Sequence, residues 1–146
     1  MAPQRIFEVS KIIKKNEVTD KVCLPMTTVE HMDPIMNGKK SMELTAFDRW
    51  GQPWPLKYCS YILQTGKPKN PVLSGAGWHK IVSDNGVLAD DELIFSGHRV
   101  AGADGVQYMI EVKRQIKTLD GELATVEVVK LKSQASMTFK GKPMEN

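Results

Sequence analysis

The chain has 146 residues, 41% hydrophobic and 25% charged, with a formal net charge of +3 at pH 7. That is apolar content for one domain with a real core and too little length for two, and the mild positive excess permits a polyanionic partner without requiring one. No apolar run is long enough to span a bilayer, no basic-then-apolar leader opens the chain, and Cys23 and Cys59 form no CxxC pair, so the expectation is a soluble, intracellular protein with two reduced core thiols.

Arg5-Ile6-Phe7-Glu8-Val9 alternates as a first strand, and Ser10 to Asp20 is a polar connection carrying Lys11, Lys14 and Lys15. Lys21-Val22-Cys23-Leu24-Pro25 reads as a second strand, ended by a proline that cannot donate to a ladder. Thr27 or Thr28 is placed to cap one helical turn through Met32, Asp33-Pro34 breaks it, and Asn37-Gly38 makes a turn. Lys40 to Phe47 alternates polar and apolar, the pattern of a strand with one wet face. Asp48 to Gln52 turns the chain back, and Trp54 to Ile62 continues as its partner. Gln64 to Pro71 holds a glycine and two prolines that oppose regular structure, with two lysines that keep it solvated. Val72-Leu73 resumes a strand.

Ala76 to Phe95 is the most legible stretch. Trp78, Ile81 and Val82 recur at helical spacing, and Asn85-Gly86 stops the helix because glycine accepts the left-handed backbone that closes it. Ala89-Asp90-Asp91 is a polar turn and Glu92 to Phe95 a buried strand. A helix this short must lie on a sheet to persist. Gly97 to Gly105 reads as a loop, Val106 to Val112 as a strand, and Lys117 to Glu122 as an Asp-Gly turn leading to a further strand at Ala124 to Val129. From Ser133 the composition is that of a polar tail. The spacing of seven or eight short strands with two short helices is that of a mainly β barrel or sandwich. Its expected organisation is a domain over residues 5–116, an extra strand or hairpin over 117–132 and a disordered tail over 133–146.

No catalytic constellation is visible. His31, His79 and His98 fall in different segments without metal-ligand spacing and read as surface histidines. Ser74-Gly75-Ala76-Gly77 lacks the lysine and hydroxyl residue of a phosphate loop and reads as a tight strand-to-helix turn, while Asp90-Asp91-Glu92 reads as a solvated acidic face. Metal and cofactor are therefore expected to be absent. Trp54 and Trp78 are large enough to belong to the core, and Trp50 is expected to pack over the barrel end. The positive evidence is two lysine-rich loops, Lys11 to Lys21 and Lys57 to Lys69. Lys14, Lys15, Lys67 and Lys69 supply point charges for phosphates, and Asn16, Thr19, Gln64, Thr65 and Asn70 supply short polar groups able to reach base edges.

Four segments in order carry a family resemblance: Phe7 with Lys21-Val22-Cys23-Leu24-Pro25; Gly51-Gln52-Pro53-Trp54-Pro55-Leu56-Lys57-Tyr58; Val72-Leu73 with Gly77-Trp78-His79-Lys80-Ile81-Val82; and Gly86 through Asp91 to Phe95. They are similar to the Arg-Leu-Val-Ile-Pro, Gly-x-x-Trp-x-Phe-Arg-Tyr, Leu-x-x-Gly-Trp-x-x-Phe-Val and Leu-x-x-Gly-Asp-x-x-x-Phe runs of the plant-specific B-three DNA-binding domain, found in auxin-response, abscisic-acid-insensitive and reproductive-meristem regulators. The resemblance spans roughly residues 5 to 114. It implies a seven-stranded open pseudobarrel with two short helices that binds double-stranded DNA in the major groove through two arms. Those arms map to Lys14, Lys15, Asn16, Thr19 and Lys21, and to Lys57, Tyr61, Gln64, Thr65, Lys67, Lys69 and Asn70. Lys21 and Lys57 stand where the family usually has arginine, and Tyr61-Ile62-Leu63-Gln64 where it often has Tyr-Trp-Asn-Ser, departures that point away from its usual target sequences.

The implied function is sequence-specific DNA binding by a non-enzymatic plant transcriptional regulator in the nucleus. A second copy of the chain and other regulators are further candidate partners. The alternative keeps the fold as a protein-interaction module with diverged arms, pairing through the strand near Ala124 to Val129. A nuclease finds no supporting cluster of acidic and lysine residues.

Overall fold

The computed structural model describes residues 4–62, 65–100, 102 and 105–131; the expectations for Gln64 and for the tail from Ser133 lie outside them. Among the described residues eight strands, β1 (Gln4–Ile12), β2 (Val22–Cys23), β3 (Ser41–Phe47), β4 (Pro53–Ile62), β5 (Pro68–Ser74), β6 (Glu92–Arg99), β7 (Gln107–Lys117) and β8 (Leu123–Glu127), are interrupted by α1 (Lys15–Val18) after β1, α2 (Thr27–Met36) after β2 and α3 (Ala76–Asn85) after β5. The strands form one sheet in the order β1-β6-β7-β3-β4-β5-β2, with β8 added on β7. The pairing is antiparallel except where β3 meets β7 at Ala46–Tyr108 and Phe47–Met109. Lys113 faces Glu92 on one side and Glu127 on the other, so β8 continues the edge of β7 that β3 leaves. β1 and β2 end the order without pairing with each other, which makes the curled sheet an open pseudobarrel.

Alternation decides what enters the core. Leu44 and Ala46 of β3, Trp54, Leu56 and Tyr58 of β4, Leu73 of β5, Leu93 and Phe95 of β6, and Tyr108, Ile110 and Val112 of β7 are all buried, while Glu43, Pro55 and Lys57 face out. α3 adds Trp78 and Ile81 to the same core. Its close approach requires a glycine, since a Cβ at Gly77 would lie 1.7 Å from the carbonyl oxygen of Pro55. Gly86 closes the helix with φ 67°, its N–H donating to Val82. At the β3–β4 turn the buried Asp48 accepts from the N–H groups of Trp50 and Gln52 and from the Trp54 indole at 3.0 Å.

Several expectations are corrected. α2 does not break at Asp33-Pro34; it runs to Met36, because Thr28, Met32 and Met36 recur at four-residue spacing and bury one face. Pro34 and Glu30, four residues before it, are both exposed, so the carbonyl that Pro34 leaves without a donor is on the wet side. Neither Thr27 nor Thr28 caps this helix; Met26 occupies the N-cap without a side-chain bond. β5 begins at Pro68 inside the stretch expected to be irregular. A register shift opposite Ser60 absorbs Pro71, which needs no ladder N–H there, and the Pro71 carbonyl accepts from Leu24 N–H at 2.7 Å. β6 continues past Phe95 to Arg99 because β1 and β7 pair with it on both edges.

Asp91 is not part of a solvated acidic face. It is 2% exposed, and its carboxylate receives the Arg114 guanidinium at 2.7 and 2.8 Å and the N–H of Leu88 at 2.8 Å. Asp90 beside it has φ 76°, the left-handed backbone at the position where the resembled motif has glycine. Trp50 is 43% exposed rather than packed in; its indole donates to the Val129 carbonyl at 3.1 Å and Arg49 lies over its ring. Cys23 and Cys59 are both free thiols; Cys59 is buried as expected, whereas Cys23 is only half-buried.

Candidate nucleic-acid interface

β2 runs antiparallel to β5, with Val22 opposite Leu73 and Cys23 opposite Val72. The segment before Val22, residues 13–21, therefore leaves the sheet at the Ser74 end of β5, whereas the β4–β5 connection enters at its Pro68 end. Six residue steps separate these ends, a span of about 20 Å. The two lysine-bearing segments flank one outer face. On that face one row runs Glu43, Lys57, Ser74 and the next runs Ser41, Cys59, Val72, Cys23. Two strand spacings put the cysteines about 10 Å apart, beyond disulfide reach.

The first segment is shaped by Glu17. Its carboxylate, 4% exposed, accepts from Lys11 Nζ at 2.8 Å, from the N–H of Lys14 at 2.8 Å and from the N–H of Cys23 at 2.8 Å. One buried anion thus joins the end of β1, the turn α1 and the start of β2. Burial pushes the Glu17 carboxyl up, but these three hydrogen bonds and the charge of Lys11 outweigh it and hold the group below its ordinary value. From the other side α3 grips the same segment: Trp78 Nε1 donates to the Glu17 carbonyl at 2.9 Å, and His79 Nε2 lies 3.2 Å from the Asp20 carbonyl. Residue-by-residue reading missed Glu17, although Glu three positions after Lys14 has the spacing of a capping box.

With the backbone so fixed, the side chains of Lys14, Lys15, Asn16, Thr19 and Lys21 are exposed. The Thr19 hydroxyl reaches back toward the Asn16 carbonyl at 3.4 Å. In the second segment Thr65, Lys67, Lys69 and Asn70 are exposed, and the Asn70 amide donates to the Leu24 carbonyl at 2.9 Å, tying β5 to β2. Tyr61 pairs with Lys69 in the ladder. Lys57 belongs to neither tip and stands on the face between them, opposite Ser74. Lys14, Lys15, Lys21, Lys57 and Lys67 form no ion pair with a described residue, in contrast to Lys11 with Glu17, Lys113 with Glu111 and Arg114 with Asp91.

The histidines serve packing and hydrogen bonding. His31 stacks on Phe7 with ring centroids 5.3 Å apart, and His98, on β6 and not in a loop, bonds Ser96 Oγ at 3.0 Å. Among the described residues no group of three His, Cys, Asp or Glu is placed to hold a metal ion. In comparison with known families, the model described as B3 DNA binding domain matches residues 7–116, well over half of the chain. No curated protein matches it.

Proposed function

The chain belongs to the B3 DNA binding domain family, a plant family of transcription-related, non-catalytic modules whose fold binds double-stranded DNA, and we propose that it reads a specific duplex sequence with two arms in the major groove. The first arm carries Lys14, Lys15, Asn16, Thr19 and Lys21; the second carries Tyr61, Gln64, Thr65, Lys67, Lys69 and Asn70, with Lys57 on the face between. The observation that carries this reading is the placement of exposed lysines, several without ion-pair partners, at both ends of β5. A span of about 20 Å exceeds the ~12 Å width of the major groove, so each arm meets one of its bordering phosphate rows. Lysine acts there as a point charge, which leaves base reading to the short polar residues, Asn16, Thr19, Gln64 and Thr65. Proteins of this family are typically nuclear, and we assign this one to transcriptional regulation in the nucleus.

Anisotropy titration of duplex DNA tests the arms directly. With about six phosphate contacts, affinity should fall on the order of a thousandfold between 50 and 200 mM salt. Lys15→Ala and Lys69→Ala should each weaken binding and flatten that dependence; wild-type curves from both would overturn the two-arm reading. A second reading is favoured by β8, which pairs with β7 alone among the described strands and exposes Leu123 and Val126. That edge is where a second copy of the chain would add a strand. Sedimentation at rising concentration tests it, and Val126→Lys should leave a monomer.

A further inference from the structure

A third basic segment stands beside the second arm without belonging to it. α2 ends at Asn37, whose left-handed backbone (φ 52°, ψ 49°) turns the chain toward β3. Two exposed lysines, Lys39 and Lys40, follow before the strand begins. The Lys40 carbonyl accepts from the N–H of Ser60 at 2.8 Å, which adds a rung to the ladder in which Ser41 faces Cys59. Lys39 lies in the turn that closes α2, its N–H donating to the Met36 carbonyl at 3.1 Å, and Ser60 stands one residue before Tyr61, whose ladder partner is Lys69. The two lysines therefore stand at the second-arm end of the sheet, with β4 between them and β5. Asp33 lines the same hollow as the two lysines, yet neither lysine forms an ion pair with it or with another described residue.

We infer that Lys39 and Lys40 form a third DNA-contacting segment, meeting the phosphate row that borders the second arm. The inference rests on the two arms receiving the duplex. Adjacent lysines on a short turn are compact cations without planar donors, so they add affinity and salt dependence and carry no base preference.

The test is the full chain with Lys39→Gln and Lys40→Gln together, titrated by anisotropy against a duplex selected from a random pool. Two lost phosphate contacts should lower the slope of log affinity against log salt by about 1.8 and shrink the loss between 50 and 200 mM about twelvefold, with the ranking of single-base-pair variants unchanged. Lys117→Gln, on the β7–β8 hairpin away from this end of the sheet, should leave the slope at its wild-type value. A double variant with wild-type slope and affinity overturns the third segment while the two arms stand. An altered base ranking overturns the phosphate role. If the wild-type chain binds no duplex at all, the segment and the two-arm reading fall together.

Discussion

The indole Nε1–H of Trp78 donates to the backbone carbonyl of Glu17 at 2.9 Å, joining the buried face of α3 to the middle of the first arm. A core residue thereby fixes the backbone that presents Lys14, Lys15 and Lys21. Trp78→Phe keeps an aromatic ring in the core and strands the Glu17 carbonyl, at a cost of about 1–3 kcal/mol. Urea unfolding should register that loss, and amide exchange in residues 14–21 should accelerate more than in β6 or β7. Uniform acceleration across the molecule would contradict a specific link to the arm.

The Glu17 carboxyl gives the arm a dependence on acid. Its folded-state pKa lies below the ordinary 4.5, since hydrogen bonds and the Lys11 charge exceed the opposing effect of burial. A lowered folded value means the stabilisation is complete above about pH 4.5 and is lost as pH falls through the folded pKa. Glu17→Gln should therefore be about 2–3 kcal/mol less stable than wild type at pH 7, with the gap closing toward pH 3. Urea titrations across that range check the sign.

Glu127 is expected to behave in the opposite sense. Burial and the charge of Glu111 raise its carboxyl pKa, and the Val112 backbone, Arg49 and Lys113 only partly offset them. A raised folded value favours the neutral form, so its contribution is present below about pH 4.5 and is lost as pH rises through the folded pKa. Glu127→Gln should unfold at higher urea than wild type at pH 7, with the advantage gone at pH 3.

Two glycines separate close contact from backbone conformation. A Cβ at Gly77 would lie 1.7 Å from a backbone oxygen of β4, whereas one at Gly86 meets nothing within 4 Å but must adopt φ +67°. Gly77→Ala should cost about 3 kcal/mol or more and Gly86→Ala about 1 kcal/mol, ranked by thermal unfolding. Equal effects would mean that the helix can move off the sheet.

What was legible in the chain followed local periodicity and punctuation. The helix from Trp78 to its stop at Gly86, the alternation of β3 and β4 and the Asp48 turn all rest on signals within a dozen residues. What was not legible depended on tertiary partners. Pro34 stays in a helix because Met32 and Met36 have a core to enter, and Pro71 stays in a strand because a bulge removes the need for its N–H. Asp91 reads as solvated until Arg114, 23 residues on, is brought against it. In the candidate site the exposed lysines were visible as composition, but Trp78, which grips their backbone, acts across 61 residues, and Glu17, whose partners lie only three and six residues away, reads as one more exposed charge until folding buries it. Lys40 is brought to Ser60, beside the β4–β5 connection, only by the pairing of β3 with β4.

The most direct test of sequence-specific recognition is selection of bound duplexes from a random DNA pool at moderate salt, followed by anisotropy of the enriched sequence against a scramble of equal composition. Recognition by the two arms should yield one motif bound at least about a hundredfold more tightly than its scramble. Equal affinity for both sequences, vanishing with salt, would contradict it and reduce the arms to a source of charge.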